Sequence, residues 1–198
     1  MGHREALLAG AKRCLYERGY ARTTARDVVA ASGTNLASIG YHFGSKEALL
    51  TQAMIEAFAE WGDELGQVLS TRTDGGPLEQ LESIWTGLIE SLDKHRPLWI
   101  ASFEAFSQAE RVPELRGKLA AGYEQGRLGL AALFLKLDES TVDEKTARTV
   151  GSLLAALQSG LTVQWLLDPE RAPSGGDLAE GLRRILAAVE ADRPEVGE

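Results

Sequence analysis

The sequence predicts an all-α protein of about nine helices in two parts. Three observations predict this class. Apolar residues recur at helical spacings of three and four along the chain, capping motifs and prolines mark where these repeats begin, and no segment alternates with a period of two between turn signals. The predicted division places an N-terminal domain at 1–50 and a larger helical domain at 51–198.

The N-terminal fifty residues are predicted to hold three short helices and the start of a fourth. Thr24 and Asp27 have the spacing of a capping box, which marks the start of the second helix. Asn35 is a favourable N-cap for a third helix running to His42, and a fourth begins at about Lys46. Two short helices joined by a tight turn behind a first helix form a helix-turn-helix.

Prolines and a second capping pair predict the remaining helices. Pro77, Pro97 and Pro113 each suit the first turn of a helix, where the missing N–H costs nothing. Thr141 and Glu144 repeat the capping-box spacing. The predicted ranges are 77–94, 97–109, 113–137, 141–167 and 177–191.

Length and composition exclude several classes of protein. A chain of 198 residues can bury a core without crosslinks, and its single cysteine, Cys14, lies in the apolar stripe of the first helix. The N-terminus is too charged for a secretory signal, and no window approaches the roughly 18 uninterrupted apolar residues of a membrane span. We therefore expect a cytoplasmic protein with no membrane partner.

Charge is distributed unevenly along the chain. Residues 1–50 hold seven basic and four acidic residues, a net +3, whereas the remainder holds 14 basic and 25 acidic residues, a net −11. This asymmetry is consistent with nucleic-acid binding by the N-terminal domain, although a solvated helix face would produce it equally well.

The third helix has the composition that a major-groove helix needs. Small or polar side chains on its outer face let the backbone approach base edges, while hydroxyl, imidazole and lysine groups beside it can reach phosphates. Ile39 and Phe43 are expected to face inward. The candidate DNA-binding residues are Thr24, Thr34, Asn35, Leu36, Ala37, Ser38, Tyr41, His42, Ser45 and Lys46.

The segment TTARDVVAASGTNLASIGYHFGSKEALL resembles the DNA-binding segment of the TetR family of bacterial transcriptional regulators, over about residues 5–55. The threonine pair before the second helix and the aromatic-His-Phe-x-Ser-Lys-Glu corner carry the resemblance. Two positions depart from the family pattern: Thr34 replaces a small aliphatic residue, and Gly40 replaces a larger one. A glycine within a helix costs about 0.5–1 kcal/mol relative to alanine.

The resemblance implies a homodimeric, ligand-responsive regulator, most simply a repressor that a small-molecule effector releases from double-stranded operator DNA. An activator of the same fold, and a helical small-molecule-binding protein with weak or no DNA binding, remain alternatives.

Aromatic residues of the larger domain are candidates for an effector pocket. They recur at helical spacing, which is also the pattern of an ordinary core, and the resemblance favours a pocket. Few charges interrupt these stripes, so the expected effector is apolar or aromatic. The candidate lining residues are Trp85, Trp99, Phe103, Tyr123 and Trp165, with Gln164 as a polar contact.

Apolar faces on the last two helices predict a dimer interface. Two such helices paired with the same two helices of a second copy would form an isologous four-helix contact, although a monomeric core could also use them. The candidate interface residues are Leu153, Leu157, Leu161, Leu178, Leu182 and Ile185.

No motif predicts an enzyme, a cofactor or a metal site. The chain has no phosphate-cradling glycine loop after a strand, no His-Glu-x-x-His and no Glu-x-x-His pair. Only His3, His42 and His95 could serve as imidazole bases or ligands, and Cys14 has no cysteine partner.

Overall fold

The computed structural model describes residues 2–70 and 75–192, and within these ranges it contains helices and no strand. The prediction of an all-α protein is confirmed. The described part has eight helices rather than nine: α1 His3–Arg18, α2 Ala25–Ser32, α3 Leu36–Phe43, α4 Lys46–Ser70, α5 Pro77–Ala109, α6 Pro113–Leu135, α7 Glu144–Leu167 and α8 Gly175–Ala191.

Local capping sets the ends of the helix-turn-helix as predicted. The backbone N–H of Thr24 donates to Asp27 Oδ2 at 2.8 Å, and the N–H of Asp27 donates to Thr24 Oγ1 at 3.2 Å. Asn35 Oδ1 accepts the N–H of Ser38 at 3.0 Å. Gly33 ends α2 with a φ of 67°, a left-handed conformation that glycine adopts without strain.

The predicted break in α5 is wrong. Pro97 lies inside one continuous helix rather than opening a second helix at 97–109. Proline removes one backbone hydrogen bond, but Leu92 and Leu98 on either side of it are both fully buried. Burial on both sides of Pro97 keeps the helix continuous.

The predicted start of α7 is also wrong. Thr141 belongs to a 3₁₀ turn at Glu139–Thr141, and the N-cap is Asp143, whose carboxylate accepts the N–H of Thr146 at 2.6 Å. A wide π-type turn follows at Ala147–Gly151. A Cβ at Gly151 would lie 2.3 Å from the carbonyl oxygen of Arg127, so this glycine permits the close approach of α6.

Two hydrophobic cores lie along α5. The first core joins α1, α2, α3 and the start of α4 to the C-terminal half of α5 and the start of α6; its fully buried members include Leu7, Leu15, Leu49, Leu50 and Leu98. The second core joins the end of α4 to the N-terminal half of α5, α7 and α8; it includes Trp61, Trp85, Leu88, Leu161 and Trp165.

Helix α7 is long and apolar enough to span a membrane by length and composition alone. A helix of a soluble core meets the same criterion, and α7 places Leu154, Leu161 and Trp165 in the second core. Packing in that core accounts for these three residues, whereas Leu153 and Leu167 on the same helix are exposed.

Replacing Gly151 by alanine should destabilise the protein by about 1–3 kcal/mol, because the added methyl group overlaps the α6 backbone. The matched variant is Gly126→Ala in α6, where an added Cβ meets nothing within 4 Å. Gly126→Ala should stabilise the protein by about 0.5–1 kcal/mol. Denaturant unfolding measures both, and equal effects in the two variants would contradict the close approach.

Candidate nucleic-acid interface and effector core

The outer face of α3 is composed of exposed small and polar residues, one exposed leucine and one exposed aromatic ring. Asn35, Leu36 and Ala37 are exposed, as is Gly40. Tyr41 is 86% exposed, and its ring contacts His42 edge-on at a centroid distance of 4.8 Å. This face is free to enter a groove of DNA.

The opposite side of α3 packs inward. Ile39 is buried in the first core and Phe43 packs against it, as expected. Ser38 was expected on the outer face but is buried: its Oγ lies 3.2 Å from Asn35 Oδ1 and 3.3 Å from His3 Nδ1. Ser38 thus links the α3 cap to the start of α1.

The corner between α3 and α4 is held by internal hydrogen bonds. Lys46 Nζ donates to the carbonyl oxygen of Thr23 at 3.1 Å and forms an ion pair with Glu47 at 3.3 Å. Ser45 Oγ accepts the N–H of Ala48 at 3.0 Å. Lys46 therefore ties the start of α4 to the residue that precedes the Thr24 cap.

The other predicted residues near the turn are also engaged locally. Thr34 Oγ1 lies 2.7 Å from Ser32 Oγ. Thr24 is exposed, and its hydroxyl both donates to and accepts from Asp27. The Thr24 hydroxyl and the Thr24 backbone N–H both donate to the Asp27 carboxylate, and these two hydrogen bonds lower the pKa of that carboxyl.

Most cations of the N-terminal helices are engaged with other groups of the chain. Lys12 pairs with Glu60 at 2.6 Å and Arg18 with Asp27 at 3.2 Å. Arg26 is different, because it is exposed in the first turn of α2 and its side chain has no hydrogen bond, ion pair or ring contact within the described part of the chain. Arg26 is not among the residues predicted to bind DNA, although its position two residues after the Thr24 cap places it at the start of α2.

A histidine joins α1, α4 and α5 at one point. His95 Nδ1 lies 3.0 Å from Tyr16 Oη, and His95 Nε2 lies 3.6 Å from Glu64 Oε2. Glu64 also pairs with Lys94 at 2.6 Å. Burial, together with the charge of Lys94, lowers the pKa of His95. The imidazole is therefore neutral at pH 7 and contacts both neighbouring helices.

A second contact joins α5 to the end of α1. Glu104 Oε2 accepts the backbone N–H of Ala21 at 2.9 Å, in the loop between α1 and α2. With His95, this contact connects the helix-turn-helix to α5 at two positions.

Three of the predicted effector residues are buried in the second core. Trp85, Trp99 and Trp165 are buried there beside Trp61, and the Trp61 and Trp99 ring centroids are 5.3 Å apart. These tryptophans come from helices α4, α5 and α7.

The other predicted effector residues lie outside that cluster. Phe103 contacts Phe106, which contacts the partly exposed Tyr123, each at 6.1 Å between centroids. Gln164 is exposed. The structure therefore does not bring the six predicted residues into one pocket. A cleft of about 410 Å³ opens instead at the junction of the α4 start with the α5–α6 corner, lined in part by Lys46, Thr51, Gln108 and Lys118.

The last two helices leave an apolar surface uncovered. Leu153 is 59% exposed and Ile185 is 61% exposed, and Leu157 is also exposed. Leu161 was expected on this surface but is buried in the second core, and Leu178 and Leu182 pack partly against that core. Leu186 and Val189 extend the exposed surface along α8.

Candidate metal ligands are not grouped within residues 2–70 and 75–192, where no cluster of three or more His, Cys, Asp or Glu side chains could hold an ion.

Comparison with known proteins gives two family matches that together span most of the chain. Residues 7–53 match the model of bacterial regulatory proteins of the tetR family, and residues 76–191, more than half of the chain, match the tetracyclin repressor-like C-terminal domain. The chain belongs to the TetR family.

Individual relatives of this TetR-family protein agree with that assignment. The HTH-type transcriptional repressor AcnR of Corynebacterium efficiens is 30% identical over 116 residues, which are 58% of this chain and 55% of AcnR. The aligned part of the chain thus spans about half the length of AcnR.

Solved structures share the fold of this TetR-family chain. A protein of Pseudomonas aeruginosa PAO1 described as a transcriptional regulator is 18% identical, with a TM-score of 0.63 over 96% of this chain and 90% of its own. The multidrug binding protein EbrR, complexed with proflavin, is 24% identical, with a TM-score of 0.59 over 95% of this chain and 99% of its own.

The buried, neutral His95 predicts that stability falls in mild acid. The unfolded chain binds a proton near the ordinary imidazole pKa of about 6.5, whereas folded His95 resists protonation. The unfolded state therefore binds more protons as pH falls through that range, and the free energy of unfolding decreases from about pH 7.5 to about pH 5.5.

Chemical denaturation across this pH range measures the effect. The variant His95→Gln keeps a neutral polar group beside Tyr16 and Glu64 but cannot titrate, so its pH slope should be smaller than that of the wild type. An equal slope in the two proteins would assign the pH dependence to other groups.

Proposed function

We propose that this TetR-family protein is a homodimeric repressor that binds double-stranded operator DNA and releases it when a small-molecule effector binds. The observation that carries the proposal is the exposed outer face of α3, presented by a capped helix-turn-helix. The similarity to AcnR, an HTH-type transcriptional repressor, supports the regulatory role. The proposal includes a cytoplasmic, non-enzymatic protein without a membrane partner, divided into a reader at 1–50 and a body at 51–198.

The reader contacts DNA with base-reading and phosphate-binding groups. In the proposal, Asn35, Leu36 and Ala37 enter the major groove, and Tyr41 and His42 reach phosphates from the end of α3. Thr24 and Arg26 bring a hydroxyl, a positive charge and the free N–H groups of the α2 N-terminus to the adjacent phosphate. Lys46 holds α4 against the loop before α2 and so positions that N-terminus.

Two copies are needed for specific binding. A single eight-residue recognition helix makes few base contacts, whereas two readers spaced about 34–36 Å apart bind successive turns on one side of the duplex. The uncovered apolar surface on α7 and α8, centred on Leu153, Leu157 and Ile185, is the surface that we propose pairs with its copy.

Helix α5 provides the route between effector and DNA. An effector in the second core contacts the N-terminal half of α5, and His95 and Glu104 connect that helix to α1 and the loop after it. A shift of α5 therefore changes the position of the reader. Such coupling is reciprocal, so the effector weakens DNA binding by the factor by which DNA weakens effector binding.

One observation favours a second candidate function. Gly40 leaves a gap on the outer face of α3, where an added Cβ would meet no atom within 4 Å, and the body is acidic. Gly40 has no side chain with which to contact DNA, and the acidic body repels phosphates. Both features favour a small-molecule-binding protein with weak or no DNA binding. An activator role would be distinguished by where the bound site lies relative to the promoter.

Retention of genomic fragments by the purified protein at about 0.1 M salt tests the proposal, because phosphate contacts at that salt concentration still support specific binding. A discrete set of retained fragments is expected. Uniform weak retention, or none, would favour the second candidate function.

Arg26→Gln should weaken binding to the best retained fragment and reduce the slope of log affinity against log salt by about 1, because one phosphate contact is lost. Arg148→Gln is the matched control, since Arg148 is an exposed arginine on α7, in the body. An unchanged slope in Arg26→Gln would remove Arg26 from the interface.

Ile185→Glu and Leu153→Glu should each convert the dimer to monomers, because a carboxylate would be buried at the centre of the apolar contact. Sedimentation equilibrium measures the mass, and circular dichroism checks that the helices persist. Arg116→Glu, on the exposed side of α6, should remain dimeric. A monomeric wild type, or dimeric glutamate variants, would place the interface elsewhere or exclude it.

A further inference from the structure

The outer face of α3 lacks most of the side chains that recognise bases by paired hydrogen bonds. In the major groove, arginine or lysine reads guanine, asparagine or glutamine reads adenine with one donor and one acceptor, and a carboxylate reads cytosine. The helix Leu36–Phe43 contains no arginine, lysine, glutamine, aspartate or glutamate. One residue of these types lies at its exposed start, the N-cap Asn35.

The acceptor atom of Asn35 is already used within the chain. Asn35 Oδ1 accepts the backbone N–H of Ser38 at 3.0 Å and the hydroxyl of Ser38 at 3.2 Å. A backbone N–H only donates, so the atom that faces it is the amide oxygen, and two hydrogen bonds fill both lone pairs of that oxygen. Asn35 therefore offers a base its N–H donors and no acceptor, which excludes the bidentate reading of adenine.

Apolar atoms make up the rest of the exposed first turn. Leu36 is 52% exposed, and Ala37 beside it is exposed as well. Residues four apart share one face of a helix, so Gly40 lies one turn beyond Leu36, and an added Cβ at Gly40 would meet no atom within 4 Å. No side chain at Gly40 keeps a base away from this face, and the apolar surface that a base meets is that of Leu36 and Ala37.

The other polar side chains of α3 do not share this turn. Ser38 is buried. Tyr41 and His42 lie in the last turn and contact each other edge-on, whereas the N-terminal residues of a recognition helix are the ones that contact base edges. The first turn therefore reads bases with one amide donor and an adjacent apolar surface.

Thymine is the base that matches this combination. In the major groove it presents both an acceptor, O4, and an apolar substituent, the C5-methyl group. Guanine and adenine present acceptors but no methyl group, and cytosine presents a donor for which the first turn of α3 has no acceptor.

We infer that α3 recognises thymine: in each operator half-site, Leu36 packs against a thymine C5-methyl group and the Asn35 amide donates to a thymine O4. This inference rests on the proposed function, in which α3 enters the major groove. It names the class of operator, one with A·T base pairs beneath the first turn of α3 in both half-sites. Asn35 and Leu36 then determine specificity, whereas phosphate contacts such as that of Arg26 do not discriminate between bases.

Selection from a random pool of DNA duplexes by the full chain at about 0.1 M salt gives the preferred site. We expect a thymine at a fixed place in each half-site. Replacing that thymine by uracil removes the methyl group and leaves O4 in place. Fluorescence anisotropy should then show about fourfold weaker binding for each half-site replaced, the effect of exposing one buried methyl group. The same replacement in flanking base pairs should leave the affinity unchanged.

Two variants of the reader locate the contacts. Leu36→Ala should lose most of the uracil effect, because the partner of the methyl group is shortened. Leu167→Ala is the matched control, a leucine of α7 that is 81% exposed, and it should keep the fourfold effect. Asn35→Asp keeps a good N-cap but replaces the amide donor by an acceptor, so it should select cytosine in place of thymine at one position of each half-site.

Several results would overturn the inference: a preferred site without a fixed thymine in each half-site, equal affinity for the thymine and uracil duplexes, a full uracil effect in Leu36→Ala, or an unchanged base preference in Asn35→Asp. Any of these with a preferred site present leaves the proposed DNA-binding function in place. A pool that yields no preferred site rejects the proposed function and this inference together. If a variant fails to fold, the wild-type comparison of thymine with uracil still decides.

Discussion

The continuity of α5 through both hydrophobic cores is the constraint on which the rest of the structure depends. Its C-terminal half places Leu98 and Ala101 under the N-terminal helices, and its N-terminal half places Trp85 and Leu88 among the helices of the body. Close-packed cores have low compressibility, so a shift of one end of a helix that packs in both cores displaces the other end as well. The core of the helix-turn-helix is completed by side chains from the body. The position of the helix-turn-helix therefore depends on how the body packs.

The elements that the sequence predicts correctly are those that local chemistry decides. The caps at Thr24 and Asn35 involve residues only three positions apart, so their spacing in the sequence is sufficient evidence. Pro97 shows where such evidence fails, because its local preference for a first turn is outweighed by the buried leucines on both sides. The start of α7 fails for a related reason: Asp143 and Thr141 are both competent caps, but Thr141 belongs to the 3₁₀ turn Glu139–Thr141 and the helix begins after Asp143.

The candidate sites follow the same division. Helical period correctly separates Ile39 from the exposed residues of α3, but it cannot show that Ser38 bonds back to the start of α1 or that Lys46 reaches the carbonyl of Thr23. Those contacts join segments distant in sequence. The second core illustrates a further limit, since the pattern identifies its tryptophans but not which indole N–H groups find an acceptor within the chain.

The contacts between α1 and α2 determine how far a shift of α5 travels. A Cβ at Gly10 would lie 2.8 Å from Ser32 Cβ, so the backbones of α1 and α2 are in close contact and cannot slide past each other freely. His95 contacts α1 and Glu104 contacts the loop that follows it, so a shift of α5 would move α1, and α2 with it. The turn at Gly33 is short and α3 is anchored by Ile39, so α3 follows α2. In the proposed repressor, a displacement that begins at the tryptophans of the second core would therefore reach the outer face of α3 as a movement of the whole reader, without refolding any helix within it.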